Sequence, residues 1–179
     1  MIFATIGTQL PFNRLLSGLD SWAARNISVP IFAQVGSTGH CYRHLNTVSA
    51  MPQSQFRRSF QTASLVVAHA GMGTILSALE LGKPLIIMPR RTQFGEHRND
   101  HQQDSAREMA RFPNVVVARN GEDLHSTLDR ALHSNFAWPP TASLESDEPA
   151  TILETLRESV WASQLAPKHA ARHVARPRA

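Results

Sequence analysis

The chain has 179 residues, 42% of them apolar, and a single cysteine, which is the size and make-up of one globular domain with a full core. No run nears the roughly 18 apolar residues that span a bilayer, the opening MIFATIG lacks the basic start of a signal peptide, and Cys41 alone excludes an internal disulfide, so a cytoplasmic protein is expected. The formal charge is +4 and the pI near 10.2; Lys83 and Lys168 are the only lysines among 18 basic residues, and this arginine excess favours anionic partners such as nucleotide phosphates, an acidic sugar, an acidic membrane surface or nucleic acid.

Ile2 to Ile6 is a short apolar run and reads as a buried strand. Gly7-Thr8-Gln9 is its turn, and Pro11 suits the entry of a helix over Asn13 to Arg25, where Leu15, Leu16, Leu19 and Trp22 recur at helical spacing. Val29 to Val35 is a second strand, closed by Gly36-Ser37-Thr38-Gly39. His40 to Met51 has no clean period and reads as strand plus loop. Pro52 to Thr62 places Phe56 and Phe60 four apart, a short amphipathic helix. Leu65 to Ala68 is a strand, Gly73 to Leu81 a helix stopped by Gly82, and Pro84 to Met88 a strand. Asn99 to Arg111 is a helix, Val115 to Val117 a strand, and Glu122 to His133 a helix. The chain shows no internal repeats.

Strands alternate with helices, and the strands are continuous apolar runs, as when helices cover both faces of a sheet. The expected fold is a doubly wound parallel α/β sheet, Rossmann-like, over residues 1–135. Ligands in such sheets sit beyond the carboxyl ends of the strands, where strand order reverses. The loops carrying Gly7, Gly71 and Arg90 therefore matter most. Residues 136–150, rich in Pro and Ser with an acidic patch, read as a linker. Residues 151–163 carry Ile152, Leu153, Leu156, Val160 and Trp161 on one helical face, which either packs back on the domain or meets a partner. From Lys168 the chain reads KHAARHVARPRA, a basic tail that is either solvated or in contact with acidic headgroups.

Two constellations carry chemistry. The first is the turn His69-Ala70-Gly71-Met72-Gly73-Thr74 between a strand and a helix. Helix N-termini present unpaired N–H groups to phosphate, and glycine lets the backbone approach closely. The same residues would also serve tight packing of helix on strand, and the full G-x-G-x-x-G fingerprint is absent because Ser77 follows Ile75 and Leu76. Gly7-Thr8-Gln9 is a second turn of this kind, and two such turns at one sheet edge can hold a diphosphate from both sides.

The second is Pro89-Arg90-Arg91 followed by Phe94-Gly95-Glu96-His97-Arg98-Asn99-Asp100-His101-Gln102. Arginine forks suit phosphate or carboxylate, and the carboxylate, imidazole and carboxamide groups suit sugar hydroxyls. The other reading of this stretch is a charged helix start capped by Asn99 or Asp100. His97 and His101 also stand at metal-ligand spacing with Asp100 and Asp104 nearby, yet no third ligand is evident and no metal is expected. A glycine turn and a polar cluster brought to one sheet edge have the layout of a nucleotide-sugar site. A nucleic-acid partner is not expected, because no aromatic platform accompanies the basic tail.

The run HAGMGTILSALELGKPLIIMPR followed by FGEHRNDHQ resembles the C-terminal, donor-binding half of GT-B glycosyltransferases. It is most similar to the small stand-alone versions of that half, which include the catalytic subunit of the dolichol-pathway N-acetylglucosaminyltransferase and the small subunits of bacterial two-part exopolysaccharide transferases. The opening IFATIGTQLPFNRLL is similar to their start. The run from Pro89 to Gln102 points to the exopolysaccharide branch. The resemblance implies a UDP-sugar donor, transfer with inversion, and no metal or other cofactor. It places Gly7, Thr8, Gly71, Gly73 and Thr74 around the diphosphate. It places Glu96, His97, Asp100, His101 and Gln102 at the donor sugar with Arg90 close by, where an arginine would pair with the carboxylate of an acidic sugar. Many relatives hold the ribose with a Glu where Ser77 stands here, and Glu80 lies one turn later. The resemblance also implies a membrane-anchored partner subunit that carries the lipid-linked acceptor and recruits this chain to the inner face of the membrane. The catalytic base then lies either on that partner or at His97, whose imidazole exchanges protons near neutral pH. A non-catalytic nucleotide-binding module on the same fold is the alternative.

Overall fold

The computed structural model describes residues 1–132 and residue 138, all within one compact unit, Met1–Glu145. The proposed linker, the 151–163 helix and the basic tail lie outside the described residues. Six strands form one sheet: β1 (Ile2–Thr5), β2 (Ile31–Gln34), β3 (Asn46–Val48), β4 (Leu65–His69), β5 (Leu85–Met88) and β6 (Val115–Val117). Five helices accompany them: α1 (Asn13–Ala23), α2 (Gln53–Thr62), α3 (Met72–Glu80), α4 (His101–Met109) and α5 (Gly121–Leu132). The strand order is β3-β2-β1-β4-β5-β6 and every pairing is parallel. The chain winds outward from β1 to β3, then returns to β4 on the other side of β1. That reversal between β1 and β4 brings the turns after both strands to one edge. Among the described residues no helix is long and apolar enough to cross a membrane.

The central strands are buried on both faces, as their unbroken apolar runs require. On one face Leu15, Leu16, Leu19 and Trp22 of α1 and Leu124 and Leu128 of α5 pack over Ile2, Ala4, Ile6, Val67, Ile86 and Met88. On the other, Phe3 meets Phe32, Phe56 and Phe60, with ring centroids 6.0, 5.4 and 6.1 Å away. The 3.6-residue period of Phe56 and Phe60 and the two-residue period of the strand meet at that cluster.

The stretch read as strand plus loop supplies the edge strand Asn46–Val48. Two expectations are corrected. Helix α4 starts at His101 rather than Asn99, because the Asp100 carboxylate turns back to the Thr92 N–H and hydroxyl, 3.0 and 2.9 Å away, and leaves α4 without a side-chain cap. The chain also does contain a repeat. Ile2-Phe3-Ala4-Thr5-Ile6-Gly7 and Ile31-Phe32-Ala33-Gln34-Val35-Gly36 share I-F-A-x-x-G, and the copies lie side by side in matched register from Ile2 opposite Ile31 to Thr5 opposite Gln34. Both end on a left-handed glycine, Gly7 with φ 75° and Gly36 with φ 62°. The copies differ at two positions, Thr5 against Gln34 and Ile6 against Val35, and each difference keeps the residue class.

Helices α1 and α5 lie in contact, and Gly18 faces Leu124 and Gly121 there. A Cβ there would stand 3.2 Å from a methyl of Leu124. Beside it, His125 Nδ1 accepts from Arg25 (3.0 Å), so Nε2 carries the proton and donates to the Gly18 carbonyl (2.8 Å). Gly18→Leu is expected to lower stability by about 1–3 kcal/mol through overpacking, read as a lower urea midpoint; an unchanged midpoint would show that this contact is loose.

Candidate functional site

The two glycine turns stand beside each other at the carboxyl edge of the sheet. A Cβ on Gly7 would lie 2.8 Å from His69 Cε1, and a Cβ on Gly71 would lie 2.8 Å from the same atom. One imidazole therefore fills the gap between both turns, and only residues without a side chain leave room for it. Gly7 also needs its left-handed φ. Thr8 and Gln9 are exposed on the first turn.

Burial first, and the charge of Arg90 second, push the His69 imidazole down to about 4, against the opposing pull of the Thr5 carbonyl. Its Nδ1 is buried without a hydrogen bond. His69 is thus neutral at physiological pH.

Helix α3 starts at Met72 with Gly71 as its N-terminal flank. The Thr74 and Ile75 N–H groups donate to the Gly71 carbonyl at 3.1 Å each. The Met72 and Gly73 N–H groups belong to the first turn, which has no helical acceptors. A Cβ on Gly73 would meet nothing within 4 Å. Glycine inside a helix costs about 1 kcal/mol relative to alanine, and nothing in the fold demands it at this position. Further along α3, the Ser77 hydroxyl donates to the Gly73 carbonyl at 2.9 Å, so it is turned toward its own helix.

The arginines and acids after β5 divide between structure and exposed chemistry. Arg90, expected close to the donor sugar, forms an internal clasp. It is 2% exposed and donates to the carbonyls of Pro11 (2.7 Å), Glu96 (3.2 Å), Ile6 (2.9 Å) and Leu10 (2.6 Å), with Phe12 beneath its guanidinium. Glu96, expected at the sugar, is also engaged within the protein. Its carboxylate takes both arms of Arg14 at 2.8 Å and the Arg91 N–H at 2.9 Å, which leaves it buried and occupied. The remaining groups stay accessible. Asp100 and His101 are exposed, and His97 is partly so, its Nδ1 3.0 Å from the Asn99 carbonyl. Gln102 accepts from the Arg90 N–H through Oε1 and keeps its amide hydrogens without an acceptor among the described residues. Because α4 begins at His101, His97 and His101 do not share a helix face. Among the described residues no three His, Cys, Asp or Glu side chains gather as metal ligands.

Sequence reasoning missed Arg14, Thr5 and Gln34. Arg14 hid inside an amphipathic helix. Thr5 and Gln34 are polar residues buried at the ends of apolar strands, at 1% and 5% exposure. A polar residue two positions before a glycine, in an otherwise apolar run, was the available signal.

The doubly wound parallel domain with two glycine turns at its switch point shares its fold with one half of larger glycosyltransferase structures. The family model for the glycosyltransferase family 28 C-terminal domain matches residues 2–155, and the chain belongs to that family. Among solved structures, Acinetobacter baumannii MurG is similar at 15% identity and TM-score 0.57, over 87% of this chain and 49% of its own. The solution structure of ALG13 is similar at 19% identity and TM-score 0.58, over 89% of this chain and 96% of its own. Os79 from O. sativa in complex with UDP is similar at 14% identity and TM-score 0.55, over 88% of this chain and 40% of its own. The chain thus spans less than half of the larger enzymes and nearly all of the small one.

Two outcomes follow from the geometry. Arg90→Met leaves carbonyls of the β1 turn unpaired and Glu96 with less counter-charge, and is expected to cost about 3 kcal/mol in chemical denaturation. Arg90→Lys recovers only part of that, since an ammonium cannot fork to four carbonyls. His69 titrates about 2.5 pH units lower in the native state than the ordinary 6.5, so the unfolded chain binds the proton first. Its contribution is complete above pH 6.5 and is lost as pH falls toward 4, by an amount on the order of 2–3 kcal/mol. Denaturation at pH 7 and pH 4.5 is expected to show a smaller acid loss for His69→Gln than for the parent chain, and equal losses would remove the assignment.

Proposed function

We propose that this chain is the donor-binding, catalytic subunit of a two-part glycosyltransferase. It takes a UDP-sugar and transfers the sugar, with inversion, to a lipid-linked acceptor in exopolysaccharide assembly. The observation that carries the reading is the pair of turns sharing His69, with Gly73 open on the first turn of α3. That arrangement presents helix N–H groups to a diphosphate and leaves the close approach clear. A UDP complex on the same fold, that of Os79, supports the choice of nucleotide.

Gly7, Thr8, Gln9, Gly71, Gly73 and Thr74 surround the diphosphate, and His69 sets the spacing of the two turns. His97, Asp100, His101 and the free amide of Gln102 face the sugar. In the reaction the acceptor hydroxyl attacks the anomeric carbon from the side opposite UDP. The bond from that carbon to the phosphate oxygen breaks, and UDP departs against the α3 amides. The hydroxyl proton passes to His97 or to a base on the partner. The acceptor site belongs to a membrane-anchored partner that holds this cytoplasmic subunit at the membrane's inner face. The match to nearly all of ALG13 supports a stand-alone half.

Gly73→Ala separates site from scaffold. The new methyl touches no protein atom and improves helix propensity, so the melting temperature is expected to hold or rise. UDP affinity by calorimetry is expected to fall tenfold or more. An unchanged affinity would remove the phosphate assignment. Turnover of a UDP-sugar is expected only after the partner is added; UDP binding without turnover in its presence would leave a nucleotide-binding module instead.

A further inference from the structure

The carboxyl end of β2 carries a buried amide that the site described above does not use. Gln34 is 5% exposed. Its Oε1 accepts from the Thr5 hydroxyl at 2.8 Å, and the Thr5 oxygen in turn accepts from the Gly7 N–H at 3.3 Å. The row runs one way, from amide to hydroxyl to carboxamide. That direction sets the side chain's orientation. Turned over, the carboxamide would aim hydrogens at the Thr5 oxygen and leave the hydroxyl proton with no acceptor.

Nε2 is then left with two donor hydrogens, and no described residue accepts them. Buried polar groups in native proteins find partners, and this one reaches the surface at the ligand edge of the sheet, next to the Gly7 turn. Each bond in the row polarises the next, which strengthens the last donor. A group that only donates matches a group that only accepts. The phosphate oxygens, unlike ribose hydroxyls, only accept, and the Gly7 turn at the head of the row is the one assigned to them.

We infer that Gln34 is a substrate-binding residue whose Nε2 donates to a diphosphate oxygen of the donor. This rests on the UDP-sugar reading above. Gln34→Glu keeps the shape and the acceptor for Thr5 but replaces the donor with a negative oxygen. UDP affinity by calorimetry is expected to fall at least tenfold, while binding of uridine, followed by NMR titration, stays within twofold. Gln34→Met, which removes the donor without adding charge, is expected to show a smaller loss for UDP and serves as the second variant should Gln34→Glu fold poorly by circular dichroism. Unchanged UDP affinity in a folded variant, with Gly73→Ala still impaired, would overturn the inference and leave the functional reading standing. Equal losses for UDP and uridine would also overturn it. Failure of the parent chain to bind UDP would overturn both.

Discussion

The site depends on one buried cation. Arg90 satisfies carbonyls along a turn that has no regular structure to satisfy them. The segment from Ile6 to Pro11 leaves β1, crosses the sheet edge and enters α1 with the Ile6, Leu10 and Pro11 carbonyls turned inward. The side chains of Thr8 to Pro11 face solvent, while a guanidinium from the end of β5 takes the Ile6, Leu10 and Pro11 carbonyls. Its charge is balanced by carbonyl dipoles and by the nearby Glu96 carboxylate, which Arg14 holds in a two-armed ion pair. Two loops distant in sequence become one rigid piece.

On that piece the rest of the chemistry is arranged. His69 stands between the two glycine turns, kept neutral by burial and by Arg90. A neutral ring does not compete with the helix amides for an anion, nor does it fix one in a salt bridge. The α3 amides are the electropositive surface on offer, and Gly73 leaves them uncovered. The acids after β5 serve two ends: Glu96 is spent on the scaffold, while Asp100 orders the loop through Thr92 and remains in solvent.

The architecture was readable because its signals are local. Apolar runs, helical spacing and glycine stops are properties of neighbours in sequence, and they located five of the strands and the five α-helices of the described residues to within a few residues. The roles of the charged residues were not local. Arg90 finds carbonyls 79 to 84 positions away, and Arg14 finds Glu96 82 positions away. An arginine bound for carbonyls looks the same in sequence as one bound for a ligand, so Arg90 and Glu96 were assigned to the sugar. Gln34 was overlooked for the opposite reason: a single carboxamide at the end of an apolar run gives no hint of whether its partner is a neighbouring strand or something outside the chain.

The I-F-A-x-x-G duplication bears on how the sheet chooses its order. Both copies present a phenylalanine to one layer and isoleucine with alanine to the other, so either would bury nearly the same surface alongside Leu65–His69. Side-chain fit hardly distinguishes the right arrangement from its exchange. What distinguishes them is connectivity, since the crossover from β1 to β2 must pass through α1 and that from β3 to β4 through α2, with the usual right-handed turn. The centre of this protein is thus ordered by its wiring more than by its packing.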